Sequence, residues 1–510
     1  MTSPLISQAS NFPGDRPGSR GRLANAAFWL FLCAGILLRL RQYLFNRALW
    51  IDEAMLSLHL IHGSLRDLFR PLIDPLQIAP PAFLVATAAL ARALPGPIEM
   101  RLRGFPFLCG MACFLVFAAF CRRRLEKSGA AVAVGFFALS APFIYYTTEV
   151  KQYASDALAA LVLLVLALPC LTQGLTTRRA LGLAVAGSLA IWFSHPAIFV
   201  LAGIACAVGY QLVIAGRKGD LVRGVAVAVC WGISFVAFYL VAIRPNSGIQ
   251  SVQEFHRDAF LPIPPRNLGQ LRTCVQALFG MFIYPGGFSA PVLAFLLTCW
   301  GLGWSERFSR AEKVLLLLPL FFCGLASMAQ RYPFTGRLLL FFAPILLIFV
   351  AEGAACCAQL LAKRRLAWLP ALLLLFQPAG NALERLVHPE EVEEIRPVLA
   401  YLSDHALSGD TLFIHHEARW NFAFYHPTYP LSEEVTIRQA EWTDKNTDYI
   451  ARLAELVGHS RVWLLFAHTP PSDQDQVLIF ARVLGTEKEH LEAKGASVWL
   501  FDFNRRKAEQ

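Results

Sequence analysis

Apolar segments of membrane-spanning length recur along this chain, and short clusters of Lys and Arg separate them in alternation. A spanning helix needs roughly 20 predominantly apolar residues. By that measure about eleven spans are expected. The first runs from about Leu23 to Phe45, and the others cover approximately Gly104–Cys121, Ala130–Tyr146, Ala154–Leu171, Ala180–Phe193, Ala197–Ile214, Val222–Ile243, Ser289–Trp304, Val314–Met328, Leu338–Ala358 and Leu366–Pro378. Over 510 residues the chain is 56% hydrophobic and only 16% charged, with a mean hydropathy of +0.48, which excludes an ordinary soluble domain.

Cytoplasmic loops carry the Lys and Arg excess. With the N-terminus inside, the inner loops hold Arg122-Arg123-Arg124 with Lys127, Arg178-Arg179, Arg217-Lys218, Arg307 with Arg310 and Lys313, and Lys363-Arg364-Arg365. The net charge of +10 is therefore read as topology signals and not as a nucleic-acid surface. The short apolar stretch Pro80–Leu94 is bounded by proline and suits an interfacial or re-entrant helix; counting it as a span would invert every later loop.

Three regions follow: a disordered cytoplasmic tail over 1–22, a transmembrane region over 23–380 with its first outer loop at 46–103, and an outer domain over 381–510. In the last, short strands are expected at Thr411–His415, Val462–His468 and Val498–Phe503, alternating with helical patterns near Glu393–Ser403, Asp444–Gly458 and Asp475–Leu484. This alternation reads as a small α/β unit. All but one of the twelve cysteines lie in or beside apolar segments without His at zinc-like spacing, so neither a disulfide framework nor a metal site is expected. No phosphate loop or nucleotide fingerprint occurs, which argues against a nucleotide-driven pump.

The topology gathers five polar stretches on the outer side: Asp52-Glu53, the Gln77–Pro81 turn, Tyr145–Asp156, Arg244–Arg272 and Arg331–Arg337. Asp52 reads either as the N-cap of a helix over Ala54–Ile61, with Glu53 favoured by the helix dipole, or as a general base at the membrane surface. Helical spacing puts Glu149, Tyr153 and Asp156 on one face and Lys151 and Ser155 on another. An interfacial belt explains the Tyr and Lys, but two acids heading an apolar helix point to function. Arg331 and Arg337 offer fork-shaped donors for a phosphate. His59, His62 and His195 read as packing or capping residues, and His415-His416 as a surface or acceptor-facing feature of the outer domain.

An acidic pair in a first outer loop, a Pro-Pro turn, an Arg before the second span, a Glu-Xaa-basic-Xaa-Tyr stretch and a C-terminal outer domain together resemble the GT-C glycosyltransferases, in the branch of the protein O-mannosyltransferases and lipid A aminoarabinose transferases. The resemblance covers nearly all of Leu23–Ala358 and rests on the order and sidedness of short motifs. It implies a mainly α membrane protein, a GT-C-type bundle with outer juxtamembrane helices and a small C-terminal α/β extracytoplasmic domain. It also implies an integral protein of the inner (plasma) membrane, with N-terminus cytoplasmic and C-terminal domain periplasmic or extracellular. The implied activity is inverting transfer of a sugar from a polyprenyl-phosphate donor to an extracytoplasmic acceptor hydroxyl. By this resemblance Asp52 matches the catalytic acid, Glu53 its acidic neighbour, Arg101 or Arg103 the Arg before the second span, and Glu149, Lys151 and Tyr153 the second outer motif. Ala79 stands where the mannosyltransferases carry His, and no Lys precedes Pro80 as in the aminoarabinose branch.

For such a transfer Asp52 is the base, Glu53 supports the base or acceptor, and Lys151, Tyr153, Arg337 and Arg331 serve the donor phosphate, with Glu149, Asp156, Arg101 and Arg103 lining the substrate site. No cofactor is assigned, and a divalent metal is compatible with the acids. The partners are the lipid donor, the acceptor and the bilayer, with no nucleic acid. The rivals are a transporter or flippase, in which Glu149, Lys151 and Asp156 couple ions, and a polysaccharide polymerase built on the two arginine-bearing outer loops.

Overall fold

The computed structural model describes residues 19–64, 66–69, 77–245, 253–361, 367–440 and 446–504. The basic cluster at Lys363-Arg364-Arg365 and nearly all of the N-terminal tail lie outside the described residues. Among the described residues, seven helices are long and apolar enough to cross a membrane. They include α1 (Ser19–Leu44), which passes over Gly21–Leu44, then α4 (Ile98–Arg124), α7 (Tyr153–Gln173), α9 (Ala197–Ile214) and α10 (Lys218–Phe238), which passes together with the turn to Ile243. The other two are Arg310–Met328 and Ala343–Leu360. An eighth crossing is available if α5 (Lys127–Leu139) and the following Ala141–Thr148 segment, bent by 62°, count as one.

The count of eleven is not reproduced. Three expected spans are helical without meeting the test: α8 (Thr177–Phe193) has 17 residues and Pro291–Trp304 has 14. At a rise of about 1.5 Å per residue, the latter is about 21 Å long, short of a hydrocarbon core of about 30 Å. Leu369–Val387 has the length, but Glu384 and Arg385 occupy its last turns and its buried positions, Ala371, Leu374, Pro378 and Ala382, form one stripe. The Pro80–Leu94 stretch forms a short helix, α3 (Pro81–Ala93), as its bounding prolines suggest.

The break after α5 has a local cause and a distant remedy. Pro142 has no N–H for the carbonyl of Ala138, its partner four residues earlier. Arg39, fully buried on α1, donates to the carbonyls of Phe137 at 3.0 Å and Ala138 at 3.3 Å, as well as to Gly35 at 2.9 Å. Its guanidinium lies 4.5 Å from the centre of the Phe114 ring. A charge inside an apolar segment thus completes the backbone of a bent neighbour.

The C-terminal sheet has the order β2-β1-β3-β5-β4, with β1 (Thr411–Ile414), β2 (Thr436–Gln439), β3 (Val462–Ala467), β4 (Thr486–Ala493) and β5 (Ala496–Asp502). β2, β1 and β3 are parallel, whereas β5 runs antiparallel to β3 and β4. The three expected strands form its centre. The two missed strands, β2 and β4, lie at its edges and carry mostly exposed, charged or polar residues, which hide their alternation from a hydropathy pattern. The central strands are buried because both faces are covered. One face, including Leu412, Ile414 and Trp463, packs in one cluster with Leu49, Ala54, Phe83 and Leu84 of the segment between α1 and α4. The opposite face, including Phe413, Leu464 and Phe501, packs on Tyr449, Leu453 and Leu478.

Replacing Arg39 by Met strips the donors from the Phe137 and Ala138 carbonyls, a loss of about 1–3 kcal/mol for each orphaned group. Thermal unfolding in detergent is expected to show a lowered melting temperature for Arg39→Met; an unchanged one contradicts the role given to this side chain.

Candidate functional site

Helix α2 (Ile51–His62) starts one residue before Asp52, with Trp50 at the cap position in extended backbone and no side-chain cap bond. Asp52 is therefore not the N-cap. It and Glu53 occupy the first turn, where the exposed helix N–H groups favour negative charge. Successive residues on a helix are rotated by about 100°, so the two carboxylates face different surroundings.

Glu53 turns inward and is fully buried. Arg103 of α4 donates to it through Nε at 2.9 Å and Nη2 at 2.7 Å, Arg47 Nη2 lies 3.4 Å away, and the Val150 N–H donates at 2.9 Å. Burial works against its charge, but Arg103 and Arg47 outweigh that and hold its carboxyl below the usual range. Arg103 also donates to the carbonyls of Arg47 and Ala48, while Tyr425 and Asn421 of the C-terminal unit hold the N–H and carbonyl of Leu49 at 2.8 Å each. The backbone leading to Asp52 is fixed from both sides.

Asp52 faces the opposite way, toward Arg337, whose Nη2 lies 2.6 Å from Oδ2. Gln77 bridges the site: its amide nitrogen is 3.4 Å from Asp52 Oδ1, and its carbonyl oxygen accepts from the buried Lys151 ammonium. Burial opposes the charge on Asp52, but Lys151 and Arg337 prevail and hold the carboxyl at about 2. Lys151 is pushed below the usual lysine range by its burial, with Asp52 acting in the other sense.

Glu149 completes the group. It has extended backbone ahead of α7, which starts only at Tyr153, so helical spacing does not relate it to Tyr153 and Asp156. Its Oε1 accepts from Trp50 Nε1 at 2.9 Å, and its buried Oε2 has no hydrogen-bond partner. Burial, more than neighbouring charge, pushes this carboxyl up to about 7. The Arg337 guanidinium lies 5.4 Å from the centre of the Trp50 ring and 5.5 Å from that of Tyr153. Against the carboxylates of Asp52, Glu53 and Glu149 stand the cations Arg47, Arg103, Lys151 and Arg337, one more positive group than negative.

Arg337 and Trp50 also line a cavity of about 470 Å³ between the Ala141–Tyr146 segment, the residues around Tyr284 and Phe288, and Leu369–Val387. Its walls carry Tyr145, Tyr146 and Tyr284, the last two joined through their hydroxyls, together with Arg385. Arg385 pairs with Glu390 at 2.7 Å, while its Nη1 has no hydrogen-bond partner.

The structure thus brings together Asp52, Glu149, Lys151, Tyr153 and Arg337, and sets Glu53 and Arg103 directly behind them. Arg101 instead donates to the Ala91 carbonyl at 2.6 Å and ties α4 to α3. Arg331 has an exposed side chain. Asp156 is buried beside Ser194, with Oδ1 lacking a partner. Sequence reasoning passed over Arg47, Trp50 and Arg385. Arg47 follows the first span as an ordinary anchor would, and Arg385 sits in a helix whose role only its packing reveals. Among the described residues no group of three or more His, Cys, Asp and Glu side chains is arranged to hold a metal ion.

No family model and no curated protein matches the sequence. Among solved structures the chain is similar to ArnT from Cupriavidus metallidurans in the apo state, with a TM-score of 0.53 and 14% identity over 92% of this chain and 97% of that one. The same TM-score and identity hold for that protein bound to undecaprenyl phosphate, over 96% and 99% of the two chains. The fold is GT-C-like. The archaeal oligosaccharyltransferase AglB from Archaeoglobus fulgidus aligns with a TM-score of 0.46 at 12% identity, over 96% of this chain and 75% of that one. Within this GT-C-like fold, the α2 start and the segments around Glu149 and Arg337 meet where Trp50 and Arg337 line the cavity.

An acid whose folded pKa is raised favours the native state while protonated, and that advantage is lost as pH climbs from the ordinary carboxylate range through about 7. Glu149→Gln is therefore expected to melt above the native protein on the alkaline side of about 7, by roughly a few degrees, with the gap narrowing on the acid side. Melting curves across that range check this; a gap independent of pH contradicts it.

Proposed function

We propose that the protein is an inverting glycosyltransferase that moves a sugar from a polyprenyl-phosphate donor to an acceptor hydroxyl on the extracytoplasmic side of the membrane. The observation that carries this reading is the Asp52–Arg337 ion pair at a cavity, inside a site with more cations than carboxylates. A buried excess of positive charge suits an anionic ligand, and the cavity's aromatic and apolar walls suit one attached to a lipid. The similar ArnT structure, bound to undecaprenyl phosphate, supports a lipid phosphate as the ligand. The boundaries expected at 22/23 and 380/381 fall inside the helices Ser19–Leu44 and Leu369–Val387, so the division is drawn at the start of the first and the end of the second; that division and the outward placement of the C-terminal unit belong to this proposal.

In the resting site Asp52 is a poor base, because Arg337 and Lys151 stabilise its anion. A donor phosphate competes for Arg337. Once the guanidinium turns to the phosphate, Asp52 loses its ion-pair partner, and with only Lys151 and Gln77 left beside it its proton affinity rises. The acceptor oxygen then attacks the anomeric carbon opposite the phosphate, the new C–O bond forms as the bond to phosphate oxygen breaks, and Asp52 takes the hydroxyl proton. The polyprenyl phosphate departs as an anion held by Arg337, with Lys151 and Tyr153 beside it.

Glu53 touches neither substrate in this scheme, since Arg103, Arg47 and the Val150 N–H occupy it; it positions Asp52. Glu149 is assigned to holding Trp50 through its N–H. Arg385 is a second donor toward the phosphate, and Arg101, Arg331 and Asp156 are left without a role in the step.

Two measurements separate binding from chemistry. With a labelled undecaprenyl-phosphate sugar and an envelope extract from the source organism as acceptor, Asp52→Asn is expected to lose at least about a hundredfold in transfer. The same variant should bind undecaprenyl phosphate about tenfold more tightly, because the anion that competes for Arg337 is gone, whereas Arg337→Gln should bind it at least about tenfold more weakly. Transfer by Asp52→Asn at the native rate, or its weaker binding of the lipid phosphate, contradicts the mechanism.

A further inference from the structure

The C-terminal unit presents one side chain to the α2 start in a way that packing does not require. β3 ends at Ala467, and the next residue, His468, has φ +58°, in the left-handed region that a side chain seldom occupies. Its N–H donates to the Gly495 carbonyl at 3.0 Å. Its ring centre lies 5.5 Å from that of Trp50, and its Nδ1 is 3.4 Å from the carboxylate of Glu393. The imidazole is 36% exposed, whereas Glu393 is 1% exposed.

Glu393 also accepts from Asn421 at 2.6 Å, through the amide that donates to the Leu49 carbonyl. A line of contacts therefore runs from Asn421 through Glu393 and His468 to Trp50, which carries Arg337 over its ring and donates to Glu149. A contact serving only to dock the sheet would be made at lower cost from apolar groups. Burying a carboxylate costs several kcal/mol unless it is well partnered, and a left-handed conformation at a side-chain-bearing residue adds roughly 1–2 kcal/mol. Strain of this kind gathers where a side chain must be aimed. With Nδ1 turned to a buried carboxylate, the imidazole has a fixed orientation and its Nε2 is left for a ligand. The Glu393 carboxylate, 3.4 Å from Nδ1, outweighs burial and favours the protonated ring, in which Nε2 carries an N–H.

We propose that His468, oriented by Glu393, is a positioning residue for the acceptor: its Nε2–H holds an acceptor oxygen on the open side of Trp50, next to Asp52. The C-terminal unit then supplies part of the acceptor site and does more than cover it. This rests on the transfer reading above.

The test compares the native protein with His468→Leu, His468→Gln and Glu393→Gln in the assay with labelled undecaprenyl-phosphate sugar, varying the envelope extract and the donor separately. Undecaprenyl phosphate binding is the control for folding. His468→Leu is expected to raise the half-saturating extract concentration about tenfold, the equivalent of one hydrogen bond to a charged group, with half-saturating donor and lipid-phosphate affinity unchanged. His468→Gln, which keeps an N–H donor, recovers most of the loss, and Glu393→Gln falls between. If His468→Leu no longer binds the lipid phosphate and is misfolded, the comparison of His468→Gln with Glu393→Gln decides: extract dependence at the native value in both overturns the proposal. A native extract dependence in a folded His468→Leu, or an equal change in donor dependence, also overturns it. Absence of transfer by the native protein removes the functional reading and this inference with it, while native transfer that is insensitive to His468 removes the inference alone.

Discussion

Glu53 is where the parts of this molecule meet. Its carboxylate takes two hydrogen bonds from Arg103 in a membrane-length helix, one from the Val150 N–H in the loop that carries Glu149 and Lys151, and an ion pair from Arg47 after the first helix. Removing one partner of such a buried pair costs about 3–5 kcal/mol, because the other charge is left without compensation. The arrangement is thus self-enforcing: the segment between α1 and α4, the α4 helix and the Glu149 loop keep their relative positions or lose this set of bonds together. Asp52, one residue earlier, gains a fixed direction from it.

The two neighbouring acids consequently have opposite electrostatic lives. Glu53 is saturated by fixed donors, whereas Asp52 is matched with Arg337, a group that also lines the cavity. Arg337 in turn rests against Trp50 and Tyr153, which orient a guanidinium without neutralising it. Glu149 lies near enough to share this field, and its high proton affinity relieves the carboxylate crowding. In the proposed reaction, a site with spare positive charge and one exchangeable ion pair takes up the anion by trading partners, without a large rearrangement.

Much of this was legible in the sequence because membrane topology restricts which loops can meet. Alternating basic clusters put Asp52, Glu149, Lys151 and Arg337 on one side, and the structure brings those four together. Residue periodicity was a poorer guide. It grouped Glu149 with Asp156, but the helix begins only at Tyr153. It could not separate Arg337 from Arg331, six residues away in the same short loop, since only the turn decides which of them reaches Asp52. Arg39 was detectable as a charge within an apolar segment, yet its partners, the carbonyls of Phe137 and Ala138, lie about a hundred residues away in sequence, at a helix end where Pro142 leaves Ala138 without its N–H. His468 carries no sequence signal at all: a histidine after a strand acquires meaning only from the positive φ and the buried Glu393.

The exchange of partners at Arg337 is the centre of this account, and a cryo-EM structure of the protein with undecaprenyl phosphate observes it directly. The account predicts that the Arg337 guanidinium contacts the lipid phosphate in the cavity and that Asp52 is released from it, with Glu53 still bound to Arg103. A phosphate seated elsewhere, with the Asp52–Arg337 pair intact, would contradict it.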